Sequence, residues 1–121
     1  MKSIKTALYC RFANSPQEVD TVNIQMKKMH DFALQQGHIP CAEYIDSGFV
    51  GTTLDRPAFM QMDSDIKTGK IDTVIVNSID RIARNPMLIM EWHTALKRYD
   101  TNIIALDGSH KALDFMKKVR L

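Results

Sequence analysis

Four short apolar runs, Thr6 to Cys10, Pro40 to Ile45, Asp72 to Val76 and Asn102 to Leu106, alternate with longer stretches whose apolar residues recur at helical spacing. No other feature constrains the fold as strongly, because parallel strands need a crossover of about a dozen residues or more, and a helix is the usual way to make it. The order βαβαβαβα implies a three-layer α/β/α domain: a mainly parallel sheet of four to five strands with helices on both faces. Strands covered on both faces read as nearly continuous apolar runs, as these do.

The intervening segments carry helix punctuation. From Gln17 to Gln36, Val19, Val22, Gln25 or Met26, Met29, Phe32 and Ala33 form one stripe, and Gly37 stands where a glycine would stop the helix. Pro57 opens a second helix through Phe59, Met60, Met62 and Ile66, closed by Gly69. A third is expected from Pro86 to Tyr99, with Trp92 as a core or interface anchor, and a short last one from Lys111 to Val119. The long Gly-containing loop from Ser47 to Leu54 is expected to be the most pliable part.

The 121 residues fit a single domain. With 45% apolar and 25% charged residues the composition is that of a globular protein. A net charge of +2 gives no bulk attraction for nucleic acid, so DNA contact would have to rest on local arginines. Cys10 and Cys41 fall in expected buried strands and read as core thiols of a reducing compartment. No signal-peptide stretch or 18-residue apolar run is present, so a cytoplasmic protein without a membrane partner is expected. His30, His38, His93 and His110 show no ligand spacing with cysteines or carboxylates, and no metal or cofactor is expected.

Function points to the run Asn77-Ser78-Ile79-Asp80-Arg81-Ile82-Ala83-Arg84-Asn85, directly behind the third strand. Ligands of open α/β sheets collect beyond the carboxyl ends of strands, and Arg81 and Arg84, three apart, would share one face of a helix start. Two guanidiniums there suit a phosphate. The plainer reading is a solvated helix start with Asp80 as cap. Arg11 behind the first strand and Arg56 behind the loop after the second fall on the same sheet edge.

These residues also carry a resemblance. Tyr9-Cys10-Arg11, Gln17 and Gln25, the stretch from Tyr44-Ile45-Asp46-Ser47-Gly48 through Gly51 to Asp55-Arg56-Pro57, and Asp80-Arg81-Ile82-Ala83-Arg84-Asn85 resemble the catalytic domain of serine recombinases of the resolvase/invertase type, over roughly residues 5 to 110. The resemblance implies metal-independent DNA strand exchange in site-specific recombination, as on mobile elements, through a serine that becomes covalently linked to a 5′-phosphate. It also implies roles: Arg11, Arg81 and Arg84 around the scissile phosphate, Arg56 assisting from the loop, and Asp80 orienting an arginine or handling the leaving oxygen's proton. Gln17 and Gln25 would support the site by hydrogen bonds, and Tyr9 would pack beneath it.

The family's nucleophile lies two residues beyond the first arginine, where this chain has Ala13. Alanine has no oxygen to attack phosphorus. Ser15 is two positions further on, which in an extended chain is about 6 to 7 Å too far. A second serine, usual just before the glycine that is Gly51 here, is replaced by Val50. Family enzymes also continue into a dimerising helix and a DNA-binding domain, and this chain is expected to lack both. The expectations are therefore a catalytically impaired domain that binds DNA weakly through phosphates and joins a homo-oligomer or a mixed assembly with a full-length recombinase. The alternatives are an active recombinase or nicking domain using Ser15, or an unrelated doubly wound domain binding a small anion.

Overall fold

The computed structural model describes residues 5–12, 16–38, 41–47, 56–83, 85–111 and 113, without the side chains of 12, 16–21 and 47. Its elements run β1 (Thr6–Phe12), α1 (Pro16–Gln35), β2 (Cys41–Ser47), α2 (Pro57–Lys67), β3 (Thr73–Val76), a 3-10 turn (Ile79–Arg81), α3 (Pro86–Leu96), a second 3-10 turn (Lys97–Tyr99) and β4 (Asn102–Ala105). The loop expected to be pliable lies almost wholly outside the described residues, as do Ala13, Ser15 and Arg84. Of the expected last helix only Lys111 and Leu113 are described, both helical.

All four strands are parallel, in the order β2-β1-β3-β4. The chain therefore steps one way from β1 to β2, then the other way from β2 to β3 and from β3 to β4. Parallel crossovers are right-handed, so this single reversal puts α1 on one face of the sheet and α2 with α3 on the other. The cores follow that division. Leu8, Cys10 and Ile75 pack with Val22, Met26, Met29 and Ala33 of α1. Ala7, Tyr9, Val74 and Val76 pack with Phe59, Met62 and Ile66 of α2 and Ile89, Trp92 and Leu96 of α3. The three-layer α/β/α expectation holds, with four strands in the described sheet.

The elements end where local chemistry ends them. Gly37 and Gly69 adopt φ of 76° and 81° behind α1 and α2, a left-handed region that costs glycine little. Asn85 caps α3, its side-chain oxygen accepting from the Met87 amide at 2.9 Å, and Pro86 follows at the first helical position. Trp92 does anchor the core: its indole N–H donates to Asp63 of α2 at 3.1 Å and its ring meets Phe59 at 4.9 Å.

Three expectations need correction. Arg11 does not follow β1 but lies within it, since pairing with β2 carries the strand on to Phe12 and sets Arg11 opposite Asp46. Asp80 and Arg81 do not open a helix: they occupy a separate 3-10 turn, and α3 begins only at Pro86. Cys41 is half-buried, because β2 is an edge strand, and its thiol donates to the His38 carbonyl at 2.9 Å while partial burial pushes its pKa up.

Candidate active site

The reversal of winding also locates a site. Beyond the carboxyl ends of β1 and β3 the helices that follow pack on opposite faces of the sheet, the kind of switch point where open α/β sheets hold ligands. Arg11 lies near the end of β1 and the 3-10 turn lies just beyond β3, so both stand at this switch point.

Strand alternation sends Ala7, Tyr9 and Arg11 to the α2/α3 face. Arg11 is almost fully buried, and its guanidinium reaches the turn: Nε donates to the Arg81 carbonyl and Nη2 to the Asp80 carbonyl, both at 3.2 Å. Two bonds from one planar fork fix the orientation of that turn relative to β1. Arg81 is half-buried and Asp80 exposed, with the Ser78 hydroxyl donating to the Asp80 carboxylate.

Arg56 is placed differently from Arg11. It stands immediately before α2 and has no solvent exposure at all. Its Nη1 donates to the Tyr9 hydroxyl at 2.8 Å and to the Arg81 carbonyl at 3.3 Å, while Nη2 donates to the Ile82 carbonyl. The guanidinium carbon also lies 5.7 Å from the Tyr9 ring centre and 5.3 Å from that of Phe59, within cation–π range. Arg56 thus reaches the same turn as Arg11, from below and through the core.

Tyr9 and Asp46 complete this network. The Tyr9 hydroxyl accepts from Arg56 and donates to Asp46 Oδ2 at 2.8 Å. Burial pushes its phenol well above the ordinary range, an effect opposed by the Arg56 charge and reinforced by the Asp46 carboxylate, so it stays a protonated donor. Asp46, buried at the end of β2, also accepts from the Ala58 amide at 2.8 Å and the Phe59 amide at 3.0 Å. Those are orphan donors of the first turn of α2, so a strand-end carboxylate caps a helix that has no side-chain cap of its own.

On the α1 face, the Gln25 side-chain oxygen accepts from the Cys10 thiol at 3.5 Å and from Asn77 Nδ2 at 3.2 Å, joining α1 to the ends of β1 and β3. Gln17 falls in the first turns of α1, and its side chain lies outside the description. The structure therefore brings Arg11, Arg56, Asp80 and Arg81 to one turn and sets Gln25 behind it.

Sequence reasoning gave Tyr9 a packing role and Asp46 none. Tyr9 two before Arg11 on the same strand face, and an aspartate closing a strand, were the available signals; Asn77 gave none beyond its place in the charged run. A cleft of about 350 Å3 lined by His93, Lys97, Asp100 and His110 lies along the outer edge of β4, away from the arginines. Among the described residues no cluster of three or more His, Cys, Asp or Glu side chains could hold a metal ion, and no helix is long and apolar enough to cross a membrane.

The family model described as the resolvase N-terminal domain matches residues 6–119. The N-terminal catalytic domain of TP901-1 integrase is similar at 24% identity and a TM-score of 0.79, with 94% of each chain covered. A resolvase family site-specific recombinase from Streptococcus pneumoniae is 28% identical, with a TM-score of 0.76 over 97% of this chain and 87% of that one. The C-terminal catalytic domain of ISC1926 TnpA, an IS607-like serine recombinase, is 16% identical with a TM-score of 0.77 over 95% and 79%. No curated protein sequence matches.

Proposed function

Because the chain belongs to the resolvase N-terminal domain family, whose structural relatives are serine recombinase catalytic domains, we propose that it acts in DNA recombination as a phosphate-binding domain that does not cleave. The observation that carries this reading is that the Arg11 guanidinium is tied to the peptide carbonyls of Asp80 and Arg81, with alanine two positions further along at residue 13.

Phosphodiester exchange places charge on non-bridging oxygens, and preorganised guanidiniums stabilise it without reorganising during the reaction. Arg11 and Arg81 are the proposed phosphate contacts, joined by Arg84. Arg56 supports them from the core, with Asp80 and Gln25 setting orientation. The family's reaction needs a serine oxygen to form a bond to phosphorus as the 3′ oxygen leaves, and Ala13 cannot supply it. Val50 removes a second hydroxyl.

Such a domain binds DNA weakly, through phosphate contacts whose release of counterions makes the binding salt-dependent. Assembly with a full-length recombinase, or with a second copy of this chain, is the proposed means of bringing it to DNA. Its compartment is proposed to be the cytoplasm.

A suicide DNA substrate tests the reading. The protein should form no covalent adduct, and Ala13→Ser combined with Val50→Ser should form at most a little. An adduct with the unaltered chain that Ser15→Ala abolishes would make Ser15 the nucleophile and overturn the proposal. Failure of every variant, with measurable binding to a full-length recombinase, would favour a regulatory or vestigial role through mixed assembly.

A further inference from the structure

The turn that carries Asp80 and Arg81 is held from a third direction that neither sequence motif nor strand order indicates. A one-turn 3-10 helix leaves its first amides without internal partners. Ser78, at the capping position, does not supply one: its hydroxyl serves the Asp80 carboxylate, and it makes no side-chain cap. The Ile79 amide instead donates to the hydroxyl of Ser109, thirty positions away, at 2.8 Å. We propose that Ser109 is a positioning residue for the phosphate-binding turn, acting through the Ile79 amide to fix where the Arg81 guanidinium and the carbonyl targets of Arg11 stand.

The loop that presents Ser109 is itself fixed. Beyond β4 the Leu106 and Asp107 amides continue the ladder onto the Val76 and Asn77 carbonyls at 2.9 and 3.1 Å, so the loop starts in register with the segment that leads into the turn. Gly108 then reverses the chain at φ 82°, its amide donating to the Ala105 carbonyl at 3.0 Å. The Ser109 amide donates to the Asp107 carboxylate at 2.9 Å. His110 closes the loop by accepting the Ala105 amide on Nδ1 at 2.9 Å. A backbone amide can only donate, so Nδ1 is the acceptor in this contact. The Ser109 oxygen is thereby aimed rather than merely nearby.

The consequence is a division of labour around one turn. Arg11 and Arg56 hold its carbonyls at the carboxyl end. Ser109 holds the amide at the other end, on Ile79, whose side chain is buried. Loss of the Ser109 oxygen leaves the carbonyl anchors intact but lets the amino end of the turn move, which shifts Arg81 without unfolding the domain.

This inference rests on the proposal that Arg81 meets phosphate, and the experiment separates the two. Ser109→Ala and Ser109→Thr are compared by hydrogen exchange of the Ile79 amide, by the Arg11 and Arg81 side-chain Nε signals in nitrogen-15 spectra, and by binding of a short DNA duplex at several salt concentrations. Thermal denaturation checks the fold. Ser109→Ala should raise Ile79 exchange about tenfold, as for one ordinary hydrogen bond, move the Arg81 signal and weaken DNA binding, while Ser109→Thr, which keeps the oxygen, should restore all three. Unchanged exchange and arginine signals in Ser109→Ala would overturn the positioning role, as would a Ser109→Thr protein that folds normally yet behaves like Ser109→Ala. If exchange and signals move as expected but the unaltered protein binds no DNA, positioning stands and the phosphate reading fails.

Discussion

Replacing Arg56 by methionine should destabilise the domain severely, although the residue would read as a surface cation in the sequence. The substitution keeps an unbranched side chain of similar reach and removes the donors to Tyr9, Arg81 and Ile82. An unsatisfied buried acceptor costs about 1–3 kcal/mol, and removing one member of a buried charged network costs about 3–5 kcal/mol. The two figures describe overlapping effects, so we take about 3–5 kcal/mol as the total rather than their sum. For a domain of this size that lowers the melting temperature by roughly 10–20 °C. Arg56→Lys should fall between, since an ammonium keeps the charge but cannot reach three acceptors in a plane. Calorimetry or circular dichroism on the two variants reads the effect. A melting temperature within about 3 °C of the original, well under the shift of one kcal/mol, would refute the reasoning and return Arg56 to the phosphate.

Asp46→Ala should cost about 2 kcal/mol or more through loss of the α2 cap and of the Tyr9 acceptor, and Asp46→Asn less, since the amide oxygen still accepts; denaturant midpoints distinguish them. The Tyr44 hydroxyl, 2.5 Å from Asp65, holds that carboxyl below its ordinary value of 3.8. A depressed carboxylate stabilises the fold above its unfolded value and loses that contribution as pH falls through its folded one. The stability advantage of the original over Tyr44→Phe should thus be present at pH 7 and shrink progressively below about pH 4, as the unfolded carboxyl protonates first; parallel urea titrations at both pH values test it. Leu96→Ala, which empties a fully packed position beneath α3, should cost about 2–5 kcal/mol with no change in the salt dependence of DNA binding.

The sheet was legible in the sequence chiefly through its two central strands, β1 and β3, which are buried on both faces and so carry unbroken apolar runs, as Thr73 to Val76 does. What local pattern cannot carry is pairing. β1 runs on through Arg11 and Phe12 only because β2 lies alongside, opposite Asp46 and Ser47. For the same reason the strand-end positions of these residues were legible but their partners were not. Arg56 reads as a loop cation, yet its acceptors lie 47, 25 and 26 positions away, on β1 and beyond β3. The arginines were visible as charge at strand ends, whereas Ser109 gave no signal, since a serine behind a fourth strand is an ordinary turn residue until the fold sets it against Ile79.

The acceptors that hold Arg11 have a chemical consequence of their own. Two of them are the peptide carbonyls of Asp80 and Arg81, neutral groups that orient a guanidinium through their dipoles. A carboxylate in the same place would fix the geometry equally well but would cancel much of the guanidinium's field, which on the proposed reading acts on a phosphate. In the deeper layer the negative charge of Asp46 is separated from Arg56 by the Tyr9 hydroxyl and is spent on the amides of α2. Carbonyls do not titrate, so between pH 6 and 8 these two bonds are constant. DNA affinity over that range should follow salt far more steeply than pH, and a steep pH dependence at fixed salt would mean that a titrating group, rather than this carbonyl cradle, governs the site.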